Sequence, residues 1–211
     1  MTRIAVLSDV HGNVPALEAV LDDLGRARPD EVLVGGDLVG RGPEGRAVAE
    51  RVRALGLRAV RGNHEDLLLG VRAAPGGAAD DIARCTRWMA DDLDEGAAAF
   101  LAALPDALVA ATAPEVRLVH GSPRSNRQGI GPWTSPELVR ELYDDVPERV
   151  LVCAHTHRPL VLPVAGGLVV NTGSVGLPFD GDPRASYALL ERRKGGWRAE
   201  IRRVAYDRGA V

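Results

Sequence analysis

Five times along this chain a short apolar run ends in side chains that can bind a metal ion or move a proton. Ile4-Ala5-Val6-Leu7 hands over to Ser8-Asp9-Val10-His11-Gly12-Asn13, and Val32-Leu33-Val34 to Gly35-Gly36-Asp37. Leu57 to Val60 leads into Arg61-Gly62-Asn63-His64-Glu65, Val116 to Val119 into His120-Gly121-Ser122-Pro123, and Val150 to Cys153 into Ala154-His155-Thr156-His157. Runs of this length bounded by turn residues fit buried strands. The polar residues then emerge at the carboxyl ends of strands, where open α/β sheets place their ligands. Period-2 alternation turns residues 9 and 11 toward one side, so Asp9 and His11 could reach one ion.

Between the runs the spacing changes to that of helices. Val14, Leu17, Val20, Leu21 and Leu24 recur at helical intervals behind an Asn13 cap, with Pro15 in the first turn. Pro43 opens a second helix carrying Ala47, Val48, Val52 and Leu55, and Gly56 is placed to end it. Strand, helix, strand, helix, strand is the order of a parallel layer. From about 66 to 104 the pattern is helical and alanine-rich, with breaks at Pro75-Gly76-Gly77 and Gly96. Ile82, Cys85 and Met89 form one stripe there with Trp88 beside it, and Phe100, Leu101 and Leu104 another. This segment is either a helical pair packed on the body or a helical cap over the site with Trp88 as a wall.

Ser135-Pro136-Glu137 starts a later helix by cap, proline and acidic first turn. The remainder reads as antiparallel: Leu160 to Val164 and Leu168 to Val170 flank a three-residue Ala165-Gly166-Gly167 hairpin signal, and Lys194-Gly195-Gly196 joins Ser186–Glu191 to Trp197–Val204. No repeat or linker interrupts the pattern, so the expectation is one domain over residues 1–211.

Composition narrows the function classes. A formal net charge of -3 argues against a nucleic-acid-binding surface built on basic residues, though not against nucleotide substrates. Cys85 and Cys153 form neither a disulfide framework nor a zinc motif, and Cys153 reads as a small buried hydrophobe. The chain runs straight into a strand pattern without a signal peptide, and no apolar run approaches the ~20 residues that span a membrane. The expectation is a cytoplasmic protein acting on a small molecule, with no membrane or stable nucleic-acid partner.

All five histidines, His11, His64, His120, His155 and His157, lie just past an apolar run. If the runs leave one sheet edge, they converge with Asp9, Asp37 and Asn63. An oxygen and nitrogen set of this kind, with no thiolate, suits Mn, Fe, Zn or Ni better than Ca or Mg. There are too many donors for one tetrahedral ion, and two ions sharing a carboxylate fit better. Paired ions roughly 3.5–4 Å apart lower the pKa of a bound water to about 7 and clamp an in-line displacement at phosphorus. In the polar loop from 124 to 133, Arg124, Arg127 and Trp133 are candidate substrate contacts.

In this order, Asp-x-His, Gly-Asp, Gly-Asn-His-Glu, a strand-terminal His-Gly and His-Thr-His resemble the calcineurin-like metallophosphoesterase superfamily. The resemblance is strongest to its bacterial and archaeal phosphodiesterase-like branch, where a loop similar to Asn171-Thr172-Gly173-Ser174-Val175-Gly176 also occurs. It implies a two-sheet β-sandwich flanked by helices, an α/β fold, and a metal-dependent phosphoesterase. Asp9, His11 and His157 would hold one divalent ion, Asn63, His120 and His155 the other, and Asp37 would bridge, with manganese the expected metal. Water activated by the ions would attack phosphorus, and His64 matches the family's catalytic histidine, which assists the leaving oxygen.

Gly36-Asp37-Leu38-Val39-Gly40-Arg41-Gly42 also resembles the Gly-Asp-x-Val-Asp-Arg-Gly stretch of serine/threonine phosphoprotein phosphatases. Arg41 matches their phosphate-binding arginine. Gly40 stands where those enzymes carry an aspartate that orients the catalytic histidine, which weakens that reading. Ala154 replaces the family's usual glycine before His-Thr-His. The leading expectation is a phosphodiesterase. The alternatives are a phosphomonoesterase, of protein phosphatase or dinucleotide polyphosphate hydrolase type favoured by Arg41 and Glu65, and a non-catalytic scaffold, which should have lost ligands that are all present here.

Overall fold

Alternation within the apolar runs sets the layers. The computed structural model describes residues 1–74, 76 and 80–210. In β1 (Arg3–Leu7), Ile4 and Val6 face one way and Ala5 and Leu7 the other, and all four are fully buried. Ile4 and Val6 meet Leu33 of β2 (Glu31–Val34), Val116 and Leu118 of β5 (Val116–Val119), Val150 and Val152 of β6 (Val150–Cys153), and Val170 of β8 (Gly167–Asn171). That cluster is the filling between two sheets. Full burial of each such side chain is worth about 1.5–3 kcal/mol.

Ala5 and Leu7 turn outward onto α1 (Val14–Ala27) and α2 (Gly45–Ala54), while Leu151, Cys153 and Val169 on the second sheet meet α6 (Pro136–Asp144). The result is helix, sheet, sheet, helix. Cys153 lies wholly inside, as expected of a small hydrophobe, and burial pushes its thiol up to about 12.

The first sheet has the order β10-β9-β1-β2-β3, with β3 spanning Arg58–Ala59, β9 Ala185–Arg193 and β10 Gly196–Val204. The second has the order β4-β5-β6-β8-β7, with β4 at Ala107–Val109 and β7 at Leu160–Val164. Strand direction therefore does not divide along the chain, as the sequence reading expected. β1, β2 and β3 are parallel, and so are β5, β6 and β8; β9 returns to pair antiparallel with β1, Leu7 opposite Tyr187. The second sheet has a parallel centre with an antiparallel strand at each edge, whereas the first is antiparallel only on the side of β9 and β10.

Both hairpin loops hold two residues rather than three. Val164 pairs with Gly167 and Arg193 with Gly196, so the last glycine of each signal joins the ladder. Gly166 (φ 95°) and Gly195 (φ 103°) supply the positive φ that such tight turns require. The strand β4 was not foreseen, since three residues are too few to show alternation. Helix α2 starts at Gly45, two residues after Pro43, because Gly42 and Glu44 spend their N–H groups on the carbonyls of His11 and Gly12.

Caps behave as the sequence suggests: Asn13 Oδ1 accepts the Ala16 N–H at 3.0 Å, and Ser135 Oγ that of Leu138 at 3.3 Å. The alanine-rich segment forms α3 (Asn63–Ala73), α4 (Asp81–Asp92) and α5 (Glu95–Ala102). Leu68, Ala97 and Leu101 enter the core under the first sheet, whereas Ile82 is 79% exposed and Trp88 56%. Of the expected break at Pro75-Gly76-Gly77, Pro75 and Gly77 lie outside the described residues. No helix among the described residues is long and apolar enough to cross a membrane.

Candidate metal centre

β1 stops at Leu7, so Asp9 and His11 do not converge by strand pleat, contrary to the sequence expectation. Both are left-handed, with φ of 52° and 51°. Among the described residues, positive φ outside glycine occurs at Arg28, which caps α1, and otherwise only at Asp9, His11, Asp37, Arg41, His155 and His157. Each such conformation costs an L-residue roughly 1–2 kcal/mol. Strain gathered in this way is a mark of functional sites, held by surrounding structure. Here the hold is a zipper between two loops: Asp9 N–H donates to Gly36 O at 3.0 Å, His11 N–H to Asp37 O at 3.0 Å and Gly12 N–H to Leu38 O at 2.9 Å.

The folded loops bring seven polar side chains together. Potential ligand atoms of Asp9, His11, Asp37 and His157 lie within 4.8 Å of one another, and those of Asp37, His120 and His155 form a second such group. Asp37 belongs to both. Asn63, on the first turn of α3, aims its side-chain oxygen at His155 Nδ1 (2.7 Å) and His120 Nε2 (3.0 Å), which puts it in the second group. His64 follows on the same turn, its backbone N–H on Asp37 Oδ1 at 2.8 Å.

Three imidazoles are oriented from behind. His11 Nδ1 lies 3.2 Å from Gly40 O, His120 Nδ1 2.7 Å from Gly35 O and His157 Nδ1 2.6 Å from Leu177 O. With Nδ1–H committed to a carbonyl, each ring turns an Nε2 lone pair inward, as ligating histidines do. Nε2 of His11 and His157 are then only 3.0 Å apart, with Asp9 Oδ1 buried 3.2 Å from His157 Nε2 and lacking a hydrogen bond. Facing lone pairs and a bare carboxylate oxygen need positive charge between them. The residues fit a divalent metal ion, and the oxygen and nitrogen donors suit a borderline one.

Electrostatics call for positive charge at this spot, carried by a proton on His120 where no ion is bound. Burial, outweighing the nearby Asp37 and Asp9, takes the His11 imidazole down to about 4, which leaves it neutral and free to ligate. Burial acts the same way on His120, but the charge and hydrogen bond of Asp37 overcome it and push the ring up to about 10. Asp37 is held well below the ordinary carboxylate range by His120 and His11 despite its own burial. The pocket is built to keep a cation.

Several positions around the centre have clear parts. A Cβ on Gly40 would sit 2.4 Å from His64 Nδ1, so the imidazole occupies the space a side chain would take, and the departure from the phosphatase stretch has a steric counterpart. His64 Nδ1 is buried without a hydrogen-bond partner, and burial lowers the pKa of the ring. Arg41 is exposed at the rim beside it.

Sequence reasoning misjudged Glu65, taken above as a substrate-type marker. It is fully buried and faces backbone: Oε2 accepts the N–H groups of Asp37 (2.8 Å) and Gly62 (2.7 Å), and Oε1 that of Leu38 (2.7 Å). Burial first, then repulsion from Asp37, pushes its carboxyl up to about 7. It fixes the loop that carries Asp37. The hydroxyl of Ser8, also missed, donates to Asp9 Oδ2 at 2.5 Å and lies 2.6 Å from Thr172 Oγ1, while Ser174 Oγ donates to Asp9 O at 2.8 Å. Through these bonds the loop from 171 to 176 props up Asp9. Phe179, half exposed, stacks on His157 with ring centroids 4.4 Å apart; nothing in its local sequence announced that. Of the candidate substrate contacts, Arg124 pairs with Asp145 at 2.7 Å and lines a cleft that it shares with His120, Trp133 stands out 65% exposed under Arg158, and Arg127 is exposed.

Two sheets flanked by helices, with a histidine and aspartate cluster where loops leave the parallel strands, define a metallophosphoesterase. The family model of the calcineurin-like phosphoesterase superfamily domain matches residues 2–195, and the chain belongs to that superfamily of phosphoric ester hydrolases. It is similar to a metallophosphoesterase from Sphaerobacter thermophilus at 31% identity, covering 97% of this chain and 89% of that one with a TM-score of 0.82. It is 27% identical over 227 residues to protein MJ0912 of Methanocaldococcus jannaschii, covering 98% of this chain and 88% of the relative. Phosphodiesterase YfcE of Escherichia coli is 27% identical over 201 residues, covering 90% of this chain and 88% of the relative.

Proposed function

We propose that this protein is a dinuclear metal-dependent phosphodiesterase. The observation that carries the reading is the pair of ligand groups sharing Asp37 beneath His64. Asp9, His11 and His157 would hold one ion, Asn63, His120 and His155 the other, and Asp37 both; manganese is the first choice, with Fe, Zn or Ni also suited to these donors. When bound, two such ions activate a water and neutralise charge building on phosphorus. The chain's own residues do the rest. His64, with Nδ1 turned to Gly40, presents Nε2 as the nitrogen that can hand a proton to the leaving oxygen. Arg41 stands where its guanidinium can fork onto a phosphate oxygen. The relative named phosphodiesterase supports a diester substrate. The free thiols fit a reducing, cytoplasmic setting.

Purified protein supplied with Mn²⁺ is expected to hydrolyse bis-p-nitrophenyl phosphate, and His64→Ala to slow turnover about 10²–10⁴-fold. Full activity after chelation, or in that variant, overturns the reading. The exposed Arg41 favours a second one, a phosphomonoesterase or dinucleotide polyphosphate hydrolase, since a terminal phosphate offers the guanidinium more charge. Comparing kcat/KM on p-nitrophenyl phosphate and its diester separates the two.

A further inference from the structure

His64 and Arg41 border more than the ligand cluster. They also line a cleft of about 360 Å³ between α3 and α4, whose walls are Leu67, Leu68, Ile82, Cys85 and Met89 with Asp81 and Thr86 between them. Ile82, Cys85 and Met89 are the apolar stripe of α4, yet only Ala90 of that helix is buried. Met89 also packs against the core, but Ile82, 79% exposed, and the exposed Cys85 are turned to the open cleft. Apolar surface left exposed beside a reacting group marks a ligand-binding groove more often than a packing defect.

The direction of the cleft decides what it takes. It opens from the ring of His64, the group that serves the leaving oxygen, so whatever that oxygen carries is led between α3 and α4. We propose that this cleft is the leaving-group subsite and that it accepts an apolar alcohol, aryl or alkyl; the inference rests on the phosphodiesterase reading above. Its volume suits one aromatic ring or a short alkyl chain. Of its two other polar lining residues, Asp81 is paired with Arg84 and Thr86 donates its hydroxyl to Ile82 O at 2.8 Å, so the free surface of the cleft is chiefly the five apolar side chains. Selection comes from burial of carbon. Each methylene taken from water into such a cleft should tighten binding by about fourfold.

Cys85 supplies a readout independent of turnover. It lines the cleft and is exposed, whereas Cys153 is buried, so N-ethylmaleimide reports on Cys85 alone. With metal-loaded protein, methyl-, butyl- and hexylphosphonate are tested as inhibitors of diester hydrolysis and as protectants of Cys85. The expected results are inhibition constants falling about fourfold per methylene from methyl to butyl, slower alkylation under saturating hexylphosphonate but not methylphosphonate, and loss of the chain-length dependence in Ile82→Asp. A flat inhibitor series with hydrolysis intact, or unprotected Cys85 under saturating hexylphosphonate, overturns the subsite and leaves the phosphodiesterase reading standing. If the metal-loaded protein hydrolyses no diester, the phosphodiesterase reading falls. Protection of Cys85 by free 1-hexanol, which needs no metal, then decides whether the cleft binds apolar groups at all.

Discussion

Gly40→Ala puts the placement of His64 to a quantitative test. The added Cβ would lie 2.4 Å from His64 Nδ1 and 3.0 Å from Cγ, closer by about 1 Å than ordinary van der Waals contact. The half-buried imidazole can yield outward, so the ring should move by that 1 Å while the ligand cluster stays in place. The backbone adds its own cost, since φ at Gly40 is 81° and a Cβ there is worth about 1–2 kcal/mol. At about 2–4 °C per kcal/mol for a chain of this size, the unfolding midpoint should fall by about 2–8 °C. A catalytic group misplaced by 1 Å costs about 100-fold in rate, equivalent to about 2.7 kcal/mol. Thermal unfolding, metal content and kcat on bis-p-nitrophenyl phosphate measure the three effects separately. Because the loss acts through His64, Gly40→Ala combined with His64→Ala should be no slower than His64→Ala alone. Wild-type kcat in the folded single variant, or multiplying losses in the double one, would refute the placement.

The shared carboxylate should show in metal analysis: Asp37→Ala is expected to lose both ions and His155→Ala only one, with retention of two ions by Asp37→Ala counting against the bridge. Chelating the wild type should remove about 5 kcal/mol of stability, about 2.7 for each of the two ions, if metal had been present at 100 times both dissociation constants, read as a shift in the urea midpoint. Away from the centre, burial of Asp23 is outweighed by the Tyr187 hydroxyl at 2.8 Å and by Arg202 at 3.2 Å, so its carboxyl sits below the usual range. A carboxylate lowered in the folded state contributes stability above its unfolded pKa and loses it as the pH falls through the folded value. Asp23→Asn should thus cost about 1–3 kcal/mol at pH 7, and the deficit should shrink as the pH is lowered below the unfolded carboxylate value in urea titrations; a deficit that does not shrink on acidification contradicts the assignment. Leu118→Ala, fully buried between the sheets, should cost about 2–5 kcal/mol by the same method.

Much of the centre was readable because it is built of residues whose chemistry does not depend on context. Imidazoles and carboxylates directly after apolar runs identify Asp9, His11, Asp37, His120, His155 and His157 from composition and position alone, and Asn13 and Ser135 announce the starts of α1 and α6 by hydrogen-bonding habits that act within three residues. Period-2 runs likewise give β1 and β6. Local pattern carries this far because strand faces and helix caps are decided by neighbours in the chain.

Tertiary structure decided the rest, for reasons of distance and strain. The pairing of β9 with β1 joins residues more than 175 positions apart, and no local period records such a partner. The left-handed backbone at Asp9, His11, Asp37, His155 and His157 runs against the preference of every one of those residues. At Asp9, His11 and Asp37 it is held because the β1 and β2 loops zip together by backbone hydrogen bonds, and at His155 and His157 by the His155 N–H on Asp9 Oδ2 and the Phe179 N–H on His157 O. Glu65 looked like part of the chemistry until burial showed it holding the backbone beside Asp37. The chain thus carries its candidate ligands as local chemistry, while their convergence on one centre depends on hydrogen bonds between segments that meet only once both sheets have formed.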